Sequence, residues 1–300
     1  MMDVTLREPG STLRVLAPCP HVLAFYDGRR PGTRLFSHKE NWLDDGAYSL
    51  GIASYAVLDG AEALVFDTHL SPAHAQLVRD TLEARGVRRI RVALSHWHDD
   101  HVAGNAVFSD CEIIANQDTA ALLSENRERL ETAFPPICPL VMPNRLFSGR
   151  LSLTVGRLSV TLQQMDIHTR DGTVALLPDG LILAGDVLED PTPYVDEPER
   201  LATHLRGLEH LAALQPHHIL PAHGDEAMIA AGGYGPALIT ANRIYLERLL
   251  RLKQEPERVH LPLSDFAADA FATGALHPFA PYEEVHRQNV ARVLAVQNAA

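Results

Sequence analysis

A chain of 300 residues with 46% hydrophobic content can bury a large core, enough for one α/β domain with an appendage. Its formal net charge of −12 opposes attraction to a phosphate backbone and argues against nucleic acid as a substrate. Cys19, Cys111 and Cys138 stand at no recognisable spacing, so they read as reduced thiols buried as small hydrophobes, and no disulfide framework is expected.

Met1 to Gly10 carry Asp3, Arg7 and Glu8 and lack the apolar run of a signal peptide. No apolar run of about eighteen residues occurs elsewhere, so the expectation is a cytoplasmic protein without a membrane span. Thr12 to Leu16 reads as a strand, followed from Pro18 to Gly46 by turn and loop formers. This stretch carries Phe25, Tyr26, Phe36, Trp42 and Tyr48. Packing of these aromatics onto the core is the favoured reading, and a lip over a binding cleft is the other. Ile52 to Phe66 has the pattern of a hairpin around Asp59-Gly60, and its second arm delivers Asp67. Ser71-Pro72 starts a helix that Gly86 stops, with Leu77, Val78, Thr81 and Leu82 on the face expected to be buried.

Arg89 to Leu94 then reads as a strand that runs directly into Ser95-His96-Trp97-His98-Asp99-Asp100-His101. Four potential metal ligands, His96, His98, Asp100 and His101, fall within six residues of a strand end. Neutral imidazoles and a carboxylate suit zinc or another borderline divalent ion, and a rigid strand is a fitting support for such a loop.

Cys111 to Ala115 is a further strand, and Asp118 to Glu131 a helix with Ala121, Leu122 and Leu130 inward, ended by the prolines from Pro135 to Pro143. Leu151 to Val155 and Leu158 to Leu162 form a half-buried hairpin around Gly156-Arg157, and the chain leaving it supplies His168. A second hairpin, Thr173 to Leu177 and Leu181 to Ala184, ends in Gly185-Asp186. Leu201 to Leu214 reads as a helix bearing His204 and His210 on its surface. A short strand after His217 and His218 ends at His223. Separate strands thus each end on a His or an Asp, which favours one shared site over unrelated turn caps. Glycines from 232 to 235 precede a long helix over 237–253. The tail, 255–300, contains an amphipathic helix after Pro281 with Val285, Val290, Val293 and Leu294 on one side. It is expected to dock on the core or on a second subunit of a homo-oligomer; either Phe279, Tyr282 or His286 reaches the cleft mouth, or the helix only covers core surface.

The run His96-x-His98-x-Asp100-His101 resembles the signature of the metallo-β-lactamase superfamily, and Asp67, His168, Asp186 and His223 follow that family's further motifs in order. The resemblance implies a four-layer αββα sandwich over 1–254, with a C-terminal helical appendage over 255–300. It implies that His96, His98 and His168 bind one ion, that Asp100, His101 and His223 bind a second, and that Asp186 bridges them. The ions would be two Zn2+, with iron or manganese as alternatives; Asp100 would also relay a proton, and Asp67 would hold a ligand histidine from behind. The implied function is hydrolysis of a small ester, lactone, thioester or β-lactam-like substrate. Asp at 186 is similar to lactonases, glyoxalase-II-like thioesterases and phosphodiesterases, where β-lactamases usually carry Cys or Ser. Asp166-Ile167 replaces the glycine that precedes the histidine in many relatives, a departure from glyoxalase II itself. A mononuclear iron enzyme of the persulfide dioxygenase kind and a phosphodiesterase or nuclease are the alternatives.

Overall fold

The strand Glu62–Phe66 shows how the interior is divided. Ala63 and Val65 join a cluster with Val78 and Leu82 of a helix, whereas Leu64 and Phe66 join one with Leu162 and Leu183 of a second sheet. A strand apolar on both faces belongs inside a sheet covered on both sides. The structure is a computed structural model describing residues 4–299; Met1, Met2 and Asp3 of the amino-terminal segment, and Ala300 of the tail, lie outside the described residues.

The first sheet follows chain order: β1 Arg14–Cys19, β2 Val22–Asp27, β3 Ile52–Asp59, β4 Glu62–Phe66, β5 Arg89–Ala93, β6 Glu112–Asn116 and β7 Arg145–Phe147. β1 to β4 pair antiparallel and β4 to β7 parallel. The second sheet contains β8 Arg150–Val155, β9 Leu158–Gln164, β10 Thr173–Leu176, β11 Leu181–Gly185 and β12 His218–Pro221. Its pairs are antiparallel except β11 with β12. Both expected hairpins in this sheet are present. β2 occupies a stretch whose sequence reads as loop, since Pro20 and Gly28 flank it; fully buried, it lacks the alternation that marks a half-exposed strand.

Helices cover the outer faces. α1, Pro72–Ala84, crosses between the parallel strands β4 and β5, and the Ser71 hydroxyl accepts the His74 N–H at its start. Its buried stripe is His74, Ala75, Val78 and Leu82, while Leu77 is 38% exposed, so the apolar face is rotated from the expected one. α2, Asp99–Val102, is a single turn. The helix expected over 118–131 is two helices, α3 Gln117–Glu125 and α4 Arg127–Thr132. Asn126 breaks it, its side-chain amide donating to the Leu122 carbonyl, and Ala121 is exposed. α5 Leu201–Ala213 and α6 Ala237–Leu250 pack Leu208, Leu211, Leu238 and Tyr245 over the second sheet. Helices, two sheets and helices form the expected αββα sandwich.

The tail continues this core. Its last helix, α7 Tyr282–Ala299, buries Val285, Val290 and Val293, with Leu294 partly buried, among the same apolar cluster as β11 and β12. Asn289 fixes it by donating to the Pro193 carbonyl at 2.8 Å and accepting the Val195 N–H at 2.8 Å. The thiols differ from expectation: Cys19 and Cys111 are half-buried and Cys138 is exposed, all three free. Among the described residues no helix is long and apolar enough to cross a membrane.

Candidate metal centre

The strand ends converge on one edge. β5 stops at Ala93, and His98 precedes the first turn of α2, which projects Asp100 and His101. Asp67 follows β4, and its N–H donates to the Ala93 carbonyl at 3.0 Å, aligning the two strand ends. Asp186 follows β11, and the parallel neighbour β12 leads into His223 beside it. His168 lies on the turn from β9 to β10 with a φ of 67°, and Asp67 has a φ of 68°. Left-handed backbone at two non-glycine residues costs energy that the surrounding structure must hold, as is common at functional sites.

All seven expected ligands come together, in two groups: His96, His98, His168 and Asp186, then Asp100, His101 and His223. His98 Nδ1 lies 2.9 Å from His96 Nε2 and 3.1 Å from His168 Nε2. Asp186 Oδ2 sits between the groups, 3.6 Å from His96 Nε2, 3.7 Å from His168 Nε2, 3.2 Å from His101 Nε2 and 3.5 Å from His223 Nε2. Asp100 Oδ2 lies 3.2 Å from His223 Nε2.

The opposite edge of each ring is also held. His168 Nδ1–H donates to the Tyr194 carbonyl at 3.0 Å and His223 Nδ1–H to the Gly51 carbonyl at 2.7 Å. His101 Nδ1 faces Asp67 Oδ2 at 2.9 Å, His98 Nε2 faces Asp196 Oδ2 at 3.2 Å, and His96 Nδ1 meets the Ser95 hydroxyl at 2.9 Å. With the outer nitrogens protonated, the inner ones carry lone pairs that point at one another and at carboxylates. Such an arrangement suits a cation at its centre, and carboxylate or carbonyl partners behind each ring are how metal-binding histidines are oriented. His101 Nε2 and Asp186 Oδ1 are moreover buried without a hydrogen-bond partner among the described residues. The donor set fits a borderline divalent metal.

The electrostatics separate the histidines into two kinds. Burial opposes charge on His101 and His223, but Asp186 and Asp100 outweigh it and push both well above the usual imidazole range. Burial and the neighbouring His101 hold His96 well below that range, and burial brings His168 down to about 4. His96 and His168 therefore stay neutral and available to an ion, whereas on His98 burial opposes charge but the hydrogen bond to Asp196 outweighs it and raises the ring.

Several contributors have no sequence signal. Asp196 and Tyr194 lie in an irregular loop, and Gly51 acts through its backbone. Asp67 Oδ2 faces His101 Nδ1, and its Oδ1 also accepts the Ser95 N–H at 2.6 Å. Glu189, buried and raised to about 8 by burial and by Asp186, borders the centre and accepts the Tyr194 N–H and the Tyr282 hydroxyl.

A cleft of about 850 Å³ opens onto the ligands, with Trp42, Leu50 and Trp97 on one side. Of the early aromatics only Trp42 lines it; Phe25, Tyr26 and Tyr48 belong to the core. The tail supplies the other wall through Pro281, Glu284, Val285, Gln288 and Arg292. The tail residues expected at the mouth lie elsewhere: Tyr282 and His286 turn into the core, and Phe279 lies beneath the Arg29 guanidinium at 4.3 Å. His210 is exposed as expected, but His204 is buried.

No family model matches the chain. Among solved structures, the metallo-β-lactamase from Pontibacter korlensis superposes with a TM-score of 0.56 at 16% identity, covering 76% of this chain and 99% of that one. The DIM-1 metallo-β-lactamase gives 0.55 at 17% identity over 76% of this chain and 97% of that one. Among curated relatives, the atrochrysone carboxyl ACP thioesterase of Passalora fulva is 44% identical over 57 residues, 19% of this chain and 17% of that protein. The β-lactamase-like protein 2 homolog of Drosophila melanogaster is 22% identical over 188 residues, 58% of this chain and 59% of that protein. The chain thus spans less than two thirds of the length of either curated relative. It has the metallo-β-lactamase fold, as its histidine motif implies, and it brings a His/Asp ligand set together at the edge where its strands end.

Proposed function

We propose that this chain is a hydrolase with a dinuclear metal centre acting on a small ester, lactone, thioester or β-lactam-like amide. The observation that carries the reading is the position of Asp186 Oδ2, within 3.7 Å of an inner nitrogen from histidines of both ligand groups. Two divalent ions bound there, zinc in this reading, would supply Lewis acidity and lower the pKa of a bound water to about 7. His96, His98 and His168 would hold one, and Asp100, His101 and His223 the other. Asp186 would link them through its carboxylate.

The remaining work falls to the chain. Burial opposes ionisation of Asp100, but His101 and His223 outweigh it and hold the carboxyl down to about 2, so at neutral pH it is an ionised acceptor lining the cleft. Trp42, Trp97, Leu50 and Val285 offer apolar walls for the body of a substrate. The short likeness to a protein named as an acyl-carrier-protein thioesterase supports an acyl compound as that substrate.

Metal analysis of the purified chain tests the reading first: two zinc-like ions are expected at this centre, against one iron for an oxygenase of the persulfide dioxygenase kind. A panel of chromogenic lactones, thioesters, phosphodiesters and cephalosporins then identifies the class. With both ions in place, turnover confined to phosphodiesters would replace the acyl reading, and turnover of none would refute it.

A further inference from the structure

His204, in the first turns of α5, is only 2% exposed. Its Nε2 has no hydrogen-bond partner among the described residues and points between Asp166 Oδ1 and Glu197 Oε2, each 3.7 Å away. Glu197 Oε2 is likewise buried without a hydrogen-bond partner. One donor atom from each of the three residues lies within 4.8 Å of the others. A buried imidazole nitrogen that faces two carboxylate oxygens beyond hydrogen-bonding distance leaves room for a cation. Donors bound at about 2.0–2.2 Å around a tetrahedral ion stand roughly 3.3–3.6 Å apart, near the spacing found.

Arg200 already neutralises part of this charge. It pairs with Asp166 chiefly through Oδ2, and its Nε lies 3.3 Å from Asp166 Oδ1 and 3.2 Å from Glu197 Oε2. Its side chain is 34% exposed and can turn to solvent, or it can stay on Oδ2 and orient the carboxylate from outside.

We infer that Asp166, Glu197 and His204 form a further site for a zinc-like divalent cation, distinct from the ligand set around Asp186. Its position suggests what it would do. Asp166 precedes His168 by two residues, and Glu197 directly follows Asp196, the partner of His98. Gly207 of α5 lies so close to this segment that a Cβ there would come within 2.4 Å of Ile167 and 2.9 Å of the Asp166 carbonyl. An ion on the three donors would tie the 166–168 turn to the 196–204 segment and so fix two of the main histidines from behind.

The full-length chain, equilibrated with excess Zn2+ and desalted, is compared with His204→Ala and Glu197→Gln by metal content. Each variant is expected to hold one ion fewer per chain than the unmodified protein, with an unchanged far-UV spectrum. Because the readout is a difference, it stands whatever number of ions the main centre holds, and the failure of the dinuclear reading is seen separately in the total. Equal content in all three chains would overturn the inference. Should His204→Ala not fold, Glu197→Gln decides alone. Arg200→Gln, which removes the competing guanidinium, is expected to keep the ion and bind it at least tenfold tighter; loss of the ion there would equally overturn it.

Discussion

Asp196 Oδ2 lies 3.2 Å from His98 Nε2, at the ring edge opposite the Nδ1 that faces His96 and His168. Unlike the other inner nitrogens, which are Nε2 atoms, His98 therefore presents its Nδ1 inward, and Asp196 keeps the proton on the far side. Asp196→Ala is expected to weaken the ion at His96, His98 and His168 by roughly 10–100-fold, the usual effect of removing a carboxylate behind a metal histidine. Competition with a chromophoric chelator measures it, and an unchanged affinity would show that His98 needs no such partner.

Asp186→Ser removes the one carboxylate that reaches both ligand groups. Hydrolysis should fall by orders of magnitude and at least one ion should be lost, while the far-UV spectrum is kept, because Asp186 lies on a strand-end turn and outside the apolar clusters. His96→Ala or His168→Ala should likewise leave one ion or fewer at the two ligand groups around Asp186. Full occupancy and full activity after Asp186→Ser would make it a turn residue.

His69, which is not one of the expected ligands, gives the fold a pH dependence. It is fully buried; its Nε2–H donates to the Phe25 carbonyl at 3.1 Å and its Nδ1 accepts the Leu70 N–H at 2.9 Å, which commits the ring to its neutral form. Burial first, and His74 next, bring its pKa down to about 3. The unfolded chain takes up that proton near pH ~6.5, so this contribution is complete above that pH and is lost as the pH falls toward 3. The loss reaches roughly 2 kcal/mol at about pH 5. Urea midpoints across that range should show the slope, and His69→Asn, which tolerates the left-handed backbone at φ 69°, should flatten it.

Removing 255–300 should prevent folding, and so cannot by itself report on specificity. Phe266, Tyr282 and Val293 are each at most 1% exposed, and burial of such side chains stabilises by about 1.5–3 kcal/mol apiece. Their joint loss is comparable with the whole stability of a typical domain, ~5–15 kcal/mol. A soluble truncate with a native urea midpoint would contradict this. Gln288→Ala, at an exposed cleft position, is expected to change kcat/KM on the best substrate by several-fold, with metal content and midpoint within error.

The ligand set was legible because each ligand follows a strand, and strands with turn-forming residues at their ends leave a pattern in one dimension. Contacts made by backbone or by irregular loops leave none. Gly51 and Tyr194 act through carbonyls that any residue could offer, and Asp196 is one acid among several in a proline-rich loop. His204 was misplaced for a different reason: on an amphipathic helix a histidine reads as polar and therefore outward, whereas here two acids from other segments receive it. β2 escaped because a strand buried on both faces does not alternate. The rotation of the α1 stripe away from Leu77 is of the same kind, since three-dimensional neighbours choose among apolar residues that the sequence presents alike.

α7 has two employments on opposite sides of one rod. Its inward residues, among them Tyr282, Asn289 and Val293, are committed to the core, while Glu284, Gln288 and Arg292 recur at helical spacing along the cleft. Outward positions on a firmly seated helix can be exchanged with little effect on its seating. The geometry offers a small, regularly spaced dial: substitutions at Glu284 and Gln288 would reshape the entrance while the chemistry at its floor stays the same, whereas Arg292, 3.3 Å from Asp196 Oδ1, reaches the partner of His98.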